Sequence, residues 1–260
     1  MGRYAFSHEW SEERRRLQMN EALLDAGTIR HLQALGVGPG WRCLEVGAGA
    51  GSITRWLCER VGPTGKVVAT DLECDFIADF DEKNLEARTH DISSDDLEEE
   101  AFDLVHSRMV LQHVPARDQA LKRMVMALAP GGVLLEEDMD CASLVASGPG
   151  AALFEKVVPP LVEVLEAVGY DPSFGRRLPA ALRMQGLVGV AAEGRVPIGV
   201  GHDLAAELWK LSVERCRPAL VARGEMTDAE IDEALAVHDN EDFAFLYPVI
   251  VAAWGQKRLR

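Results

Sequence analysis

No stretch of the 260 residues stays apolar for the ~18 residues that a membrane helix needs, so no spanning segment is expected. The opening segment, MGRYAFSHEWSEERRRLQ, lacks the apolar core of a secretory signal, and a cytoplasmic location is the expectation. Cysteine is sparse: five residues, at 43, 58, 74, 141 and 216, with no Cys-x-x-Cys pair. This argues against a disulfide framework and against zinc, and leaves reduced thiols, some buried as small apolar groups. Basic charge is also short, with 27 Lys and Arg against 42 Asp and Glu, a formal net charge of −15. Between Asp71 and Asp103 only Lys83 and Arg88 are basic. Such a surface repels a phosphate backbone, so a small neutral or cationic substrate is expected rather than nucleic acid.

What is present is core-forming material, 48% hydrophobic residues, in an alternating pattern. RCLEVGA, KVVATDL, LEARTHD, FDLVHSR and VLLEED read as five short strands. Helices separate them. SITRWLCERV carries Ile53, Trp56, Leu57 and Val61 at helical spacing with Ser52 placed to cap it. A short helix is expected over residues 75–83. ARDQALKRMVMALAP puts Ala120, Leu121, Met124, Val125 and Leu128 on one face and is closed by Pro130-Gly131-Gly132. Strands alternating with helices imply a doubly wound α/β fold, its parallel sheet covered on both faces. Right-handed crossovers bring the strands' C-terminal ends to one ligand-binding rim. That rim carries Gly47 to Gly51, Asp71, Asp91, Ser107 and Asp138.

Flanking segments are less regular. Residues 11–35 read as a helix. ALFEKVVPPLVEVLEAV reads as a helix interrupted at Pro-Pro, followed by a strand from Val188 to Val196. DLAAELWKLSVERC and TDAEIDEALAVH read as two amphipathic helices before a last strand, VIVAAWGQ.

CLEVGAGAGSITRWL joins a strand to a helix through Gly47, Gly49 and Gly51, where the missing side chains let a ligand lie against the backbone. A dinucleotide site wants G-x-G-x-x-G; this chain has G-x-G-x-G and an acid, Glu45, inside the strand. With Asp71 ending the second strand, Asp91 after the third, and the FDLVHSRMVLQHVP and LAPGGVLLEED segments following, the chain resembles the class I S-adenosylmethionine-dependent methyltransferases over about residues 36–138.

The resemblance implies a mostly parallel seven-stranded sheet with helical N-terminal and C-terminal caps. It implies S-adenosyl-L-methionine as cofactor and an enzyme that methylates O, N or C of a small molecule. The Ala, Arg, Gly and Val bias suggests a GC-rich bacterial genome, in which such relatives often tailor secondary metabolites. Glu45 is expected near the methionine amino group, with Gly47, Gly49 and Gly51 beneath the methionine and ribose. Asp71 is expected on the ribose hydroxyls, Leu72 over the adenine, Asp91 and Ile92 at its edge, and Ser107 facing the carboxylate or sulfonium. In relatives an N-terminal helix closes over the cofactor, so Arg16 is a candidate for the carboxylate, and Tyr4, Phe6 and Trp10 for a lid.

Base candidates are His113, which alternatively only begins the next helix, and Asp138 with Asp140, which could instead bind an amine. His106 reads as a packed histidine. No metal is expected. The domain reading is an N-terminal cap over 1–35, a cofactor-binding core over 36–200, a helical lid over 201–240 and a last core strand over 241–260. Trp209 or His238 of that lid is expected near the acceptor, with a homodimer contact as the alternative role. A cyclase, isomerase or binding protein that keeps the cofactor pocket but does not methylate is the alternative function.

Overall fold

The computed structural model describes residues 10–259; Tyr4 and Phe6 lie outside the described residues. Helix α1 (Glu13–Ala34) leads into β1 (Arg42–Val46), α2 (Ser52–Val61), β2 (Lys66–Asp71), β3 (Leu85–Thr89) and β4 (Phe102–Arg108). Then come α3 (Arg117–Ala127), β5 (Leu128–Asp140), β6 (Ala146–Ser147), α4 (Ala151–Glu166) and α5 (Phe174–Met184). The chain ends with β7 (Val188–Arg195), β8 (Ile198–Val200), α6 (Leu204–Ala222), α7 (Asp228–Ala236), β9 (Ala244–Leu246) and β10 (Val249–Gln256).

Seven strands form one sheet in the order β3-β2-β1-β4-β5-β10-β7, parallel except for β10, which runs antiparallel to both neighbours. The winding reverses between β1 and β4, and a crevice opens above their C-terminal ends. One face of the sheet packs Leu44, Val105 and Leu134 on Met124 of α3 and Leu178 and Leu182 of α5. The other packs Cys43, Val67 and Leu104 on Leu57 and Val61 of α2 and Leu32 of α1.

A third core lies beside the sheet. Phe154, Val157 and Leu161 of α4 pack with Val213 and Leu220 of α6, Ile231 of α7, and Phe243 and Phe245. Strands β6, β9 and β8 pair antiparallel beneath it. The cap therefore draws on the segment after β5 as well as on the expected pair of helices. At two or three residues each, these strands are too short to show a periodicity.

Local expectations fail in three places, the first being the cap of α2, which is Gly51 and not Ser52. Residues 75–83 form turns, not a helix, because only Ile77 is buried there and the surrounding acids have no helical face to hide. Helix α4 runs unbroken through Pro159 and Pro160. Its buried stripe of Phe154, Val157, Leu161 and Val164 overrides the prolines, and the carbonyls they leave unbonded belong to Glu155 and Lys156, both exposed to water.

Gly51 has φ +95, and an added Cβ would lie 2.5 Å from the Phe80 ring and 2.7 Å from Ile77. Gly49 also has positive φ, +57, but a Cβ there would meet only Leu17, at 3.7 Å. Gly51→Val should therefore destabilise by about 2–4 kcal/mol, from strain plus overpacking, and Gly49→Val by only about 1–2. Urea denaturation of the two variants checks the order.

Candidate functional site

The glycine turn is held from below. Gly47 and Ala48 donate their N–H groups to the Thr70 carbonyl at 2.7 and 3.0 Å, and Gly49 donates to Asp71 Oδ2 at 2.9 Å. Asp71 Oδ1 also accepts from Glu73 N–H at 3.3 Å, so this carboxylate ties the turn to the end of β2. Gly47 has φ +73 with Val110 directly behind it, where a Cβ would come within 2.3 Å. Above the turn lies a cavity of about 320 Å³, within the size range of small-ligand sites.

The cavity brings together Glu45, Gly47, Gly49, Asp71, Leu72, Asp91, Ile92 and His113. Asp91 Oδ1 accepts from Ser93 N–H at 2.8 Å, which shapes the turn after β3. Several expected residues are not among its walls. Gly51 starts α2 and packs on Phe80. Ser107 is fully buried and donates its hydroxyl to Glu136 Oε2, because alternate residues of a strand face opposite sides and this one turns toward β5. Asp138 is fully buried too, with Oδ2 accepting from Gln112 N–H at 3.2 Å. Asp140 is likewise engaged elsewhere, pairing with Arg176 and capping Ala142 N–H.

Buried charge surrounds the site. Glu45 is bonded through Oε2 to His106 Nδ1 at 2.6 Å. Glu137, on the same face, accepts from Thr28 Oγ1 at 2.5 Å and lies 3.4 Å from His31 Nδ1. Arg108 donates to Thr28 Oγ1 and to Asp25 Oδ1, both at 2.9 Å, and Asp25 accepts from Ser52 Oγ at 3.1 Å. Helix α1 is thus fastened to the sheet by polar groups. Its spacing carried the signal: Glu13, Arg16, Asn20, Leu24, Thr28 and His31 recur at three- and four-residue intervals on the buried face, and all but Leu24 are polar.

The opposite face of β5 holds a second pair. Glu136 Oε1 and Asp138 Oδ1 have no other partner, and the two carboxyls interact with each other. Burial pushes both up, Asp138 to about 8; the Asp138 charge raises Glu136 further, while the hydrogen bond from Glu136 draws Asp138 part of the way back.

His113 lines the cavity and stacks 5.0 Å from the Tyr170 ring. Gln112 Oε1 is committed to Met139 N–H at 2.7 Å, so the amide nitrogen faces His113 Nε2 at 3.2 Å, and that nitrogen must accept. Burial first, then the Arg16 and Arg117 guanidiniums, push His113 down to about 3. It is neutral near pH 7 and a weak base.

Arg16 also lines the cavity, but its guanidinium is bidentate on Glu13, at 2.9 and 2.6 Å, both residues buried. The far half of the cavity is apolar, walled by Leu144, Leu161 and Leu165, by Met139, and by Trp209, Tyr170 and Tyr247. Trp209 is the lid residue that reaches it. His238 does not; it is buried among Phe154, Phe243 and Phe245, with Nδ1 donating to the Leu235 carbonyl. Trp10 sits beneath the Arg215 guanidinium of α6. Among the described residues no group of three or more His, Cys, Asp or Glu could hold a metal, and no helix is long and apolar enough to cross a membrane.

Residues 44–134 match a family described as "Methyltransferase domain". Methyltransferase str2 of Strobilurus tenacellus is 30% identical over 139 residues, 53% of this chain and 50% of the relative. Trans-aconitate 2-methyltransferase of Variovorax paradoxus is 39% identical over 95 residues, 36% of each chain. The matched stretch spans half or less of these curated relatives' length. In structure, Haemonchus contortus phosphoethanolamine N-methyltransferase 2, solved with phosphomonomethylethanolamine and S-adenosylhomocysteine, superposes with a TM-score of 0.60. The match covers 96% of this chain and 58% of that one at 16% identity, a likeness of fold. The fold is that of the class I methyltransferases, and residues 44–134 are similar in sequence to a methyltransferase domain.

The carboxyl pair makes stability depend on pH. Folded, it keeps protons that the unfolded chain releases above pH ~4, so stability falls as pH rises from about 4 toward 8. Asp138→Asn removes one of the two acids and should flatten that decline. Denaturation midpoints at pH 5 and pH 8 check it; an unchanged slope means the pair is not the cause.

Proposed function

We propose that this chain binds S-adenosylmethionine over the glycine turn and transfers its methyl group to a small-molecule acceptor held between α4 and α6. The observation that carries this reading is one cavity with two unlike halves, acids and bare backbone at one end and an apolar chamber at the other. The residues suit the donor: the backbone at Gly49 is open toward the cavity, and the carboxylates of Glu45, Asp71 and Asp91 stand at three successive strand ends. S-adenosylmethionine would supply an electrophilic methyl group, open to in-line displacement. Glu45 offers a carboxylate to an ammonium group, and Asp71 two oxygens to vicinal hydroxyls. Leu161, Leu165 and Trp209 exclude water and hold the acceptor at reactive distance, where proximity supplies much of the rate.

Methyl transfer is tested by incubating the chain with S-adenosylmethionine and a metabolite panel and following S-adenosylhomocysteine. Asp71→Ala should weaken donor binding by about 2–4 kcal/mol in calorimetry, since charge-assisted hydrogen bonds are worth ~1.5–3 kcal/mol each and are not additive. Unchanged affinity would remove Asp71 from the donor site. Trp209→Ala should raise the acceptor KM about tenfold or more through lost burial while sparing donor affinity. A donor-affinity loss of the same size would place Trp209 in the donor's half instead.

A further inference from the structure

Two carboxylates face the two nitrogens of one buried imidazole. His106 of β4 is fully buried, with Nδ1 2.6 Å from Glu45 Oε2 on β1 and Nε2 3.5 Å from Glu137 Oε2 on β5. Ionised carboxylate oxygens only accept, so both ring nitrogens must donate, and a ring with two N–H groups is the imidazolium. We propose that His106 is a positioning residue whose imidazolium fixes the Glu45 carboxylate at the cavity wall, leaving Oε1 for the ammonium group of the donor's amino-acid end. The inference rests on the donor reading above.

The surroundings favour the charged ring. Burial alone pushes His106 down, but Glu45 and Glu137 outweigh it and raise it to about 9. Glu137 in turn faces Thr28 and His31 of α1, and with Arg108 nearby it stays ionised against its own burial. Without the imidazolium, Glu45 would lose the donor that holds its Oε2 in place. A carboxylate that is not held is a poorer partner for an ammonium group. It would still fill the same space, so the fold and the nucleoside end of the site should be spared.

The test compares two ligands by calorimetry: S-adenosylhomocysteine, which carries the amino-acid end, and 5′-methylthioadenosine, which lacks it. His106→Gln should weaken S-adenosylhomocysteine about tenfold or more at pH 6 and leave 5′-methylthioadenosine unchanged. Equal losses for both ligands, or an unchanged S-adenosylhomocysteine affinity, overturn the proposal. If the variant does not fold, imidazole NMR shifts of the wild-type protein decide: a doubly protonated His106 at pH 7.5 supports the assignment, and a neutral ring overturns it. A wild-type chain that binds neither ligand sinks the donor reading, and the positioning role falls with it.

Discussion

Three consecutive acids, Glu136, Glu137 and Asp138, lie buried in β5, an interior strand of the sheet. Burying carboxyls costs several kcal/mol each unless every oxygen is met or the group takes a proton, so this strand constrains all that packs on it. Alternation sends Glu137 to one face and its two neighbours to the other. Each face answers differently. On one, Glu137 stays ionised because His106, His31 and Thr28 surround it. On the other, no cation reaches Glu136, and the pair with Asp138 keeps a proton instead.

The first solution dictates the character of α1. A helix laid on an apolar sheet would present leucines, whereas α1 buries Thr28 and His31 over Glu137 and, nearer its start, Arg16 on Glu13. The same contacts reach the site. Glu137 meets His106, His106 holds Glu45, and Arg108 connects Thr28 to Asp25 beside Ser52 at the start of α2. The wall of the cavity and the seat of the N-terminal helix are one hydrogen-bonded unit.

The sheet was legible from sequence because five of its strands, β1, β2, β4, β5 and β10, hold short apolar runs bounded by turns, and the glycine turn because positive φ leaves few alternatives to glycine. Glu45, Asp71 and Asp91 were legible as acids at strand ends. Ser107 and Asp138 were misplaced for one reason: their chain positions put them near the rim, but their side chains turn into the β5 face away from the cavity. His106 was read as a packed histidine, which describes its burial and misses the two carboxylates brought to it by β1 and β5, 61 and 31 residues away in the chain. No local pattern encodes that meeting. The cap's share of the segment after β5 was hidden similarly, since α4 carries two prolines and β6, β8 and β9 are only two or three residues long.

The apolar half of the cavity holds groups whose protonation is fixed near neutral pH. Burial and two guanidiniums keep His113 neutral down to about 3; burial pushes Cys141 up to about 11 and drives Tyr170 and Tyr247 higher than free tyrosine. The Glu13 carboxylate is occupied by Arg16. A general base works best with a pKa near the working pH, and His113, Cys141, Tyr170 and Tyr247 are all held away from it. Chemistry in this chamber would then draw its rate from proximity and from the exclusion of water, with the acceptor bringing its own electron pair. An apolar wall suits that task, because it orders the acceptor by shape and leaves its reacting atom unsolvated.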